Sequence, residues 1–115
     1  MKIRTKFRSA SEQAAYIAGK ITAKTWTKGT LARDEKDNEV WLSNGTKLCA
    51  LGWCLRTNGK FGREVINAVE ELARKRGFVS LPQYNDRPRR RAEDVKKLFL
   101  RAAERLKKSN QAKAA

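Results

Sequence analysis

No histidine occurs anywhere in the chain, and there are only two cysteines, Cys49 and Cys54. These shortages remove whole classes of chemistry. A structural zinc site takes four ligands, usually thiolates and imidazoles, and two thiols alone fall short of that set. Their CxxxxC spacing matches no familiar zinc knuckle either. Without histidine there is no Cys–His nucleophile pair and no HExxH helix. The chain also lacks a glycine-rich phosphate loop after a strand and a GxSxG elbow. An enzyme is not expected, and neither is a cofactor or metal.

Long apolar runs are missing too. The longest, Leu48 to Leu55, falls far short of the roughly 20 residues that span a bilayer. The opening MKIRTKFRSA is basic but has no apolar h-region behind it, so no signal peptide is expected. These features predict a cytoplasmic protein with reduced thiols and no membrane partner.

Acidic residues are scarce. Against 27 Lys and Arg stand 12 Asp and Glu, a formal net charge of +15 on 115 residues. Such an excess attracts polyanions, although it says nothing about fold. Hydrophobic residues make up 40% of the chain, enough to build a real core in one domain.

The residues present organise as follows. Lys2, Arg4, Lys6 and Arg8 alternate with Ile3, Thr5 and Phe7, which reads as a short strand or as a basic arm that orders on a partner. SASEQAAYIAGKI reads as a helix: Ser9 and Glu12 have capping-box spacing, and Ala10, Ala14, Ile17 and Ile21 share a face. WTKGTLARDEKDNEVWL reads as a hairpin, with Thr30 to Ala32 leading into the turn Asp34–Asn38 and Val40 to Leu42 returning. Ser43 to Thr46 form a turn whose hydroxyls can cap the next helix.

That helix holds CALGWC and is apolar nearly all round, as a buried central helix would be, with Asn58-Gly59 as its C-cap. Residues five apart on a helix point about 140° away from each other, so Cys49 and Cys54 suit packing rather than a disulfide. GREVINAVEELARKRGF places Val65, Val69, Leu72 and Ala73 on one face, with Arg74, Lys75 and Arg76 in the last turn and Gly77 as the stop. VSLPQYNDRP reads as a loop. The final helix buries Ala92, Val95, Phe99, Ala102 and Leu106.

The expected fold is therefore mainly α, in the α+β class. About four helices pack around the central one, with a small β-hairpin and an N-terminal segment that reads as a strand or an arm. Residues 1–8 form the basic strand or arm, 9–108 a single compact domain, and 109–115 a frayed tail.

Three of these stretches carry a further signal. WTKGTLARD, CALGWCL and YNDRPRRRAEDV, in this order, resemble an uncharacterised family of small proteins from actinobacteria and their bacteriophages. Its members show W-[CT]-x-G-x-[LF]-x-R-D, then C-[AL]-x-G, then Y/W-N-D followed by R-T-A-x-D-V, and the resemblance runs from about Ser9 to Leu106. It implies a compact, mostly helical domain of phage or actinobacterial source. As a domain of unknown function, the family lends no catalytic residues. Trp26, Gly29, Arg33, Asp34, Cys49, Gly52, Asn85, Asp86, Asp94 and Val95 occupy its motif positions. Thr27 stands where many members carry Cys, and Arg91 where they often carry a helix-capping Thr. Asn85-Asp86 reads as a cap or Asx-turn before Pro88; the other reading has it orient a ligand beside Arg33.

Arg87 to Lys108 contain ten Lys and Arg against three acids, an excess of seven. On a helical wheel Arg90, Lys97, Arg101 and Lys108 fall within about 20° of one line, opposite the apolar stripe. In RPRRR, four guanidiniums within five residues repel one another unless anions compensate. The expected phosphate contacts are Arg87, Arg89, Arg90, Arg91, Lys97, Arg101 and Lys108, with Lys2, Arg4 and Lys6 from the N-terminal segment. Arg74 to Arg76 add to that charge. No known base-reading motif is present, so a nucleic-acid partner, duplex DNA first, would be bound with little sequence specificity. The alternative is a non-enzymatic modulator that sets this basic surface on an acidic host protein.

Overall fold

The computed structural model describes residues 2–114, with side chains up to Asn110. Ser9 caps the first helix, α1 (Ala10–Lys20), by accepting from the Glu12 amide. Ala10, Ala14, Ile17 and Ala18 make its buried face. Strand β1 (Ala32–Arg33) pairs antiparallel with β2 (Lys47–Leu48), in the register Ala32 to Leu48 and Arg33 to Lys47. Helices α2 (Ala50–Arg56), α3 (Gly62–Lys75), α4 (Leu81–Asp86) and α5 (Ala92–Ala114) follow. Among the described residues there are thus five α-helices and one two-stranded sheet. None of these helices is long and apolar enough to cross a membrane.

The most extensive packing joins α1 to α5, and the core between the helices is filled by Ile17, Trp53, Val65, Val69, Leu98 and Phe99, all essentially sealed from solvent. Two buried polar side chains, Gln13 and Thr57, are tied together. Gln13 of α1 donates to the Thr57 hydroxyl at the end of α2, which itself donates back to the Trp53 carbonyl.

Several expectations need correction. The N-terminal segment is not a strand. Its alternation does sort side chains, since Ile3 packs against the core and Phe7 meets the Tyr16 ring at 5.4 Å between centroids. The neighbour, however, is a helix, which offers no ladder of backbone groups. The Arg4 amide donates instead to the Tyr16 hydroxyl. In the hairpin, the Asp34–Asn38 turn closes as expected, but its return makes only an isolated bridge, Arg33 to Glu39. The strand that pairs fully with β1 is Lys47–Leu48, in a stretch read as the approach to a helix. Trp41 stands 82% exposed.

The central helix is shorter than expected, because Cys49 is its N-cap rather than part of it. It is also sealed on fewer sides: Leu51 is half-buried and Leu55 exposed. Gly59 is not left-handed. A β-carbon there would lie 2.4 Å from the Thr5 carbonyl, so glycine is needed for the N-terminal arm to cross. Gly77, at φ +92°, does end α3 in the left-handed conformation. The loop around YND contains α4, capped by Ser80 and started by Pro82 at a first-turn position. Helix α5 runs past Lys108 to Ala114.

Candidate nucleic-acid interface

The motif residues converge first on Asn85. Its side-chain oxygen accepts from the Trp26 indole at 2.7 Å and from the Ala50 amide, the first of α2, at 2.9 Å. Its amide nitrogen donates to the Thr27 carbonyl at 3.1 Å and to the Asp86 carboxylate at 2.9 Å. An amide side chain has two donors and two acceptor sites, and here all four are used. Asn85 therefore holds the first amide of α2, 35 positions away in sequence, instead of the local cap or Asx-turn expected before Pro88, and it keeps nothing for a ligand. Asp86 accepts from the Gly29 amide at 2.9 Å, where Gly29 adopts φ +85°.

Gly52 serves the same junction. A β-carbon on it would meet the Leu31 carbonyl oxygen at 2.5 Å, and that oxygen accepts from the Cys49 amide at 3.1 Å. Asp34 organises the hairpin turn by accepting from the Asn38 and Lys36 amides, and the Asn38 amide does most to hold its carboxyl below the usual carboxylate range. The W-T-K-G, C-A-L-G and Y-N-D motifs are thus three sides of one structural joint.

Both thiols belong to the interior. The Cys49 sulfur accepts from the Gly52 amide at 3.3 Å, and Cys54 has no exposed surface. Burial raises the pKa of each, most strongly for Cys54.

The basic residues separate into two kinds. In RPRRR, Arg87, Arg89 and Arg91 are exposed, and Arg89 takes φ +67° in a turn closed by the Arg90 amide on the Arg87 carbonyl. Arg90 turns inward. It precedes α5 and so never joins the helical line with Lys97, Arg101 and Lys108. Its guanidinium stacks 3.7 Å from the Tyr84 ring centroid, and its Nε donates to the Tyr84 carbonyl at 2.8 Å. That desolvated stacking makes Arg90 part of the α4–α5 joint instead of a free phosphate contact. Arg4 is likewise engaged, with Glu12, the Lys6 carbonyl and the Phe7 ring. Lys2 and Lys6 are exposed on the arm. Lys97 pairs with Glu93 at 3.6 Å.

Arg101 and Lys108, by contrast, meet the end of α3. Lys75, Arg76, Arg101, Arg105 and Lys108 surround a cleft of about 390 Å³ whose other lining residues are Leu72 and Glu104. Glu71 beside it takes Lys75 at 3.4 Å and Arg105 at 3.2 Å, and these contacts, Lys75 first, hold its carboxyl below the usual range. Arg76 reaches the Tyr84 hydroxyl at 3.1 Å and lies 5.8 Å from the centre of its ring. The Tyr84 and Phe78 rings meet edge-on at 5.2 Å, and Arg87 lies over Phe78 at 5.7 Å. Successive contacts therefore link Arg87, through Phe78 and the buried Tyr84, to Arg76 at the cleft. Of the cleft residues, Arg105 lies outside the expected contacts, and Lys75 and Arg76 entered only as charge added by Arg74 to Arg76. Arg105 is one turn beyond Arg101, a signal the wheel contained; the approach of α3 was not visible there.

No curated protein and no solved structure matches the chain. A family model does: the one described as a family of unknown function (DUF6197) matches residues 9–105, a span that includes the Asn85 joint and the cleft's Lys75, Arg76, Arg101 and Arg105. The chain belongs to this family.

Proposed function

We propose that the protein is a small non-enzymatic accessory protein that binds nucleic acid, duplex DNA first, through the phosphate backbone and with little sequence specificity. The observation that carries this reading is the cleft between α3 and α5, where five cationic side chains stand against the lining Glu104 and the adjacent Glu71, an excess of three positive charges. Guanidiniums offer bidentate contacts to phosphate oxygens, and the exposed Arg87, Arg89 and Arg91 add positive charge beyond the cleft. Its placement in a phage, acting in the host cytoplasm, rests on the motif resemblance.

Fluorescence anisotropy with a labelled duplex tests it. Affinity should fall with log[salt] at a slope of about −0.9 per phosphate contacted, so about −3.6 for four contacts. Combined Arg76→Gln, Arg101→Gln and Lys108→Gln should flatten that slope and weaken all duplex sequences alike. An unchanged slope in that triple variant would remove the cleft from the interface. A second reading, docking on a host protein, gains support from Trp41, whose 82% exposure suits an interface anchor. Indifference to DNA and RNA at about 50 mM salt, with capture of one discrete acidic protein, would favour it.

A further inference from the structure

A second concavity lies where the chain leaves α1 and where α5 begins. It encloses about 640 Å³, within the range of roughly 300–1,000 Å³ usual for small-molecule pockets. Its apolar lining comes from Ile21, Ala23, Trp26 and Ala92. Around it stand Lys28, Arg91 and Lys96, with Arg90 between the groove and Tyr84. Glu93 is the one acid among its lining residues, and it pairs with Lys97. Among the described residues Lys96 has no ion-pair partner, and the buried Nη2 of Arg90 has no hydrogen-bond partner.

We propose that this groove binds a small organic anion with an apolar body, such as an aryl or acyl acid, set against Trp26 and Ile21 with its anionic group toward Lys28, Arg91 and Lys96. This goes beyond polyanion binding, because a phosphate backbone has no use for an apolar pocket. A neutral apolar ligand would leave Lys96 without an anionic partner, beside an Arg91 held only by Asp94 at 3.9 Å and a Lys28 held only by the Arg87 carbonyl at 3.3 Å. A simple inorganic anion would leave the apolar lining wet. Only a ligand with both parts answers the surface, since apolar area and opposite charge each contribute to binding.

The probe is 8-anilinonaphthalene-1-sulfonate, titrated into the native protein by fluorescence. One site should saturate in the tens of micromolar, as ordinary ligand efficiency gives for about 20 heavy atoms. The neutral N-phenyl-1-naphthylamine should bind at least about tenfold more weakly if the anionic group matters as stated. Ala23→Trp, at an exposed turn position, should fill the groove, and Lys96→Glu should reverse its charge. Each should weaken the dye at least about tenfold while circular dichroism stays unchanged. If Ala23→Trp fails to fold, Lys96→Glu with the neutral dye decides. Absence of a saturable site, equal binding of the two dyes, wild-type affinity in both variants, or displacement by millimolar inorganic phosphate would each overturn the proposal. A duplex that binds while the dye does not would leave the nucleic-acid reading standing and sink this one.

Discussion

The Trp26 indole donates to the Asn85 side chain at 2.7 Å across 59 positions of sequence, and the same oxygen accepts the first amide of α2. One buried amide thus joins the segment before the hairpin, the central helix and α4. Asn85→Ala would leave the Trp26 N–H and the Ala50 amide without partners, at about 1–3 kcal/mol for each unsatisfied group. A loss of about 3 kcal/mol is expected in urea unfolding, with Asn85→Asp also destabilised because it loses the donor to Thr27 and brings a charge beside Asp86. Wild-type stability in Asn85→Ala would show that the joint is not what organises the domain.

Two glycines should separate the domain from its arm. Gly52→Ala forces a β-carbon against the Leu31 backbone, in the middle of the joint, and should cost more than about 2 kcal/mol of global stability. Gly59→Ala collides with the Thr5 carbonyl instead, at the point where the arm crosses. Hydrogen exchange at the Arg4 amide, now bonded to Tyr16, should accelerate at least about tenfold in that variant, while global unfolding shifts by less than about 1 kcal/mol. Equal global losses in the two variants would mean that the arm is integral to the core.

The buried thiols predict an alkaline limit. Burial raises the folded-state pKa of Cys54 above its unfolded value, near 8.5 for a free thiol. Below that pH both states hold the proton and stability is unaffected; above it the unfolded chain releases the proton first. Stability should therefore fall as pH rises from about 8 to 10, by up to about 1.4 kcal/mol per pH unit per thiol. Cys54→Ala should show a shallower fall over the same interval in chemical denaturation. Rapid labelling of Cys54 by a thiol reagent under native conditions would contradict its burial.

What the sequence disclosed depended on how local each cause was. The Ser9 cap, the buried stripe of α3 and the left-handed Gly77 follow from neighbouring residues, and the chain displays them openly. The Asn85 joint does not, because its partners sit at Trp26, Thr27 and Ala50 and only the fold brings them together. The motif spacing hinted at their importance without showing that it is structural. Charge behaved similarly. The excess on α5 was legible, whereas Arg90's withdrawal onto Tyr84 and the meeting of Arg101 with Arg76 required tertiary contacts. Alternation at residues 2–8 was real, but a pattern cannot say whether the neighbouring surface is a strand or a helix.

Arg91 brings stability and proposed function into opposition. It directly precedes Ala92, the first residue of α5, so it occupies the N-cap. An arginine side chain offers no acceptor to the open amides of a first turn, and the remaining half of the capping arrangement is the Arg91 amide donating to Asp94 at 3.0 Å. Arg91→Thr supplies the missing acceptor and keeps the backbone amide bond to Asp94, losing only the exposed Arg91–Asp94 ion pair at 3.9 Å, which adds little. It should raise stability by about 0.5–2 kcal/mol in urea unfolding. The same change deletes an exposed guanidinium from the proposed phosphate track, so duplex binding should weaken and its salt slope should lose about 0.9. Arg89→Gln serves as the control, since it removes a charge without touching the cap and should reduce the slope alone. A more stable Arg91→Thr protein with an unaltered slope would place Arg91 outside the interface. An altered slope without the gain in stability would mean that the Thr hydroxyl does not reach the amides of the first turn.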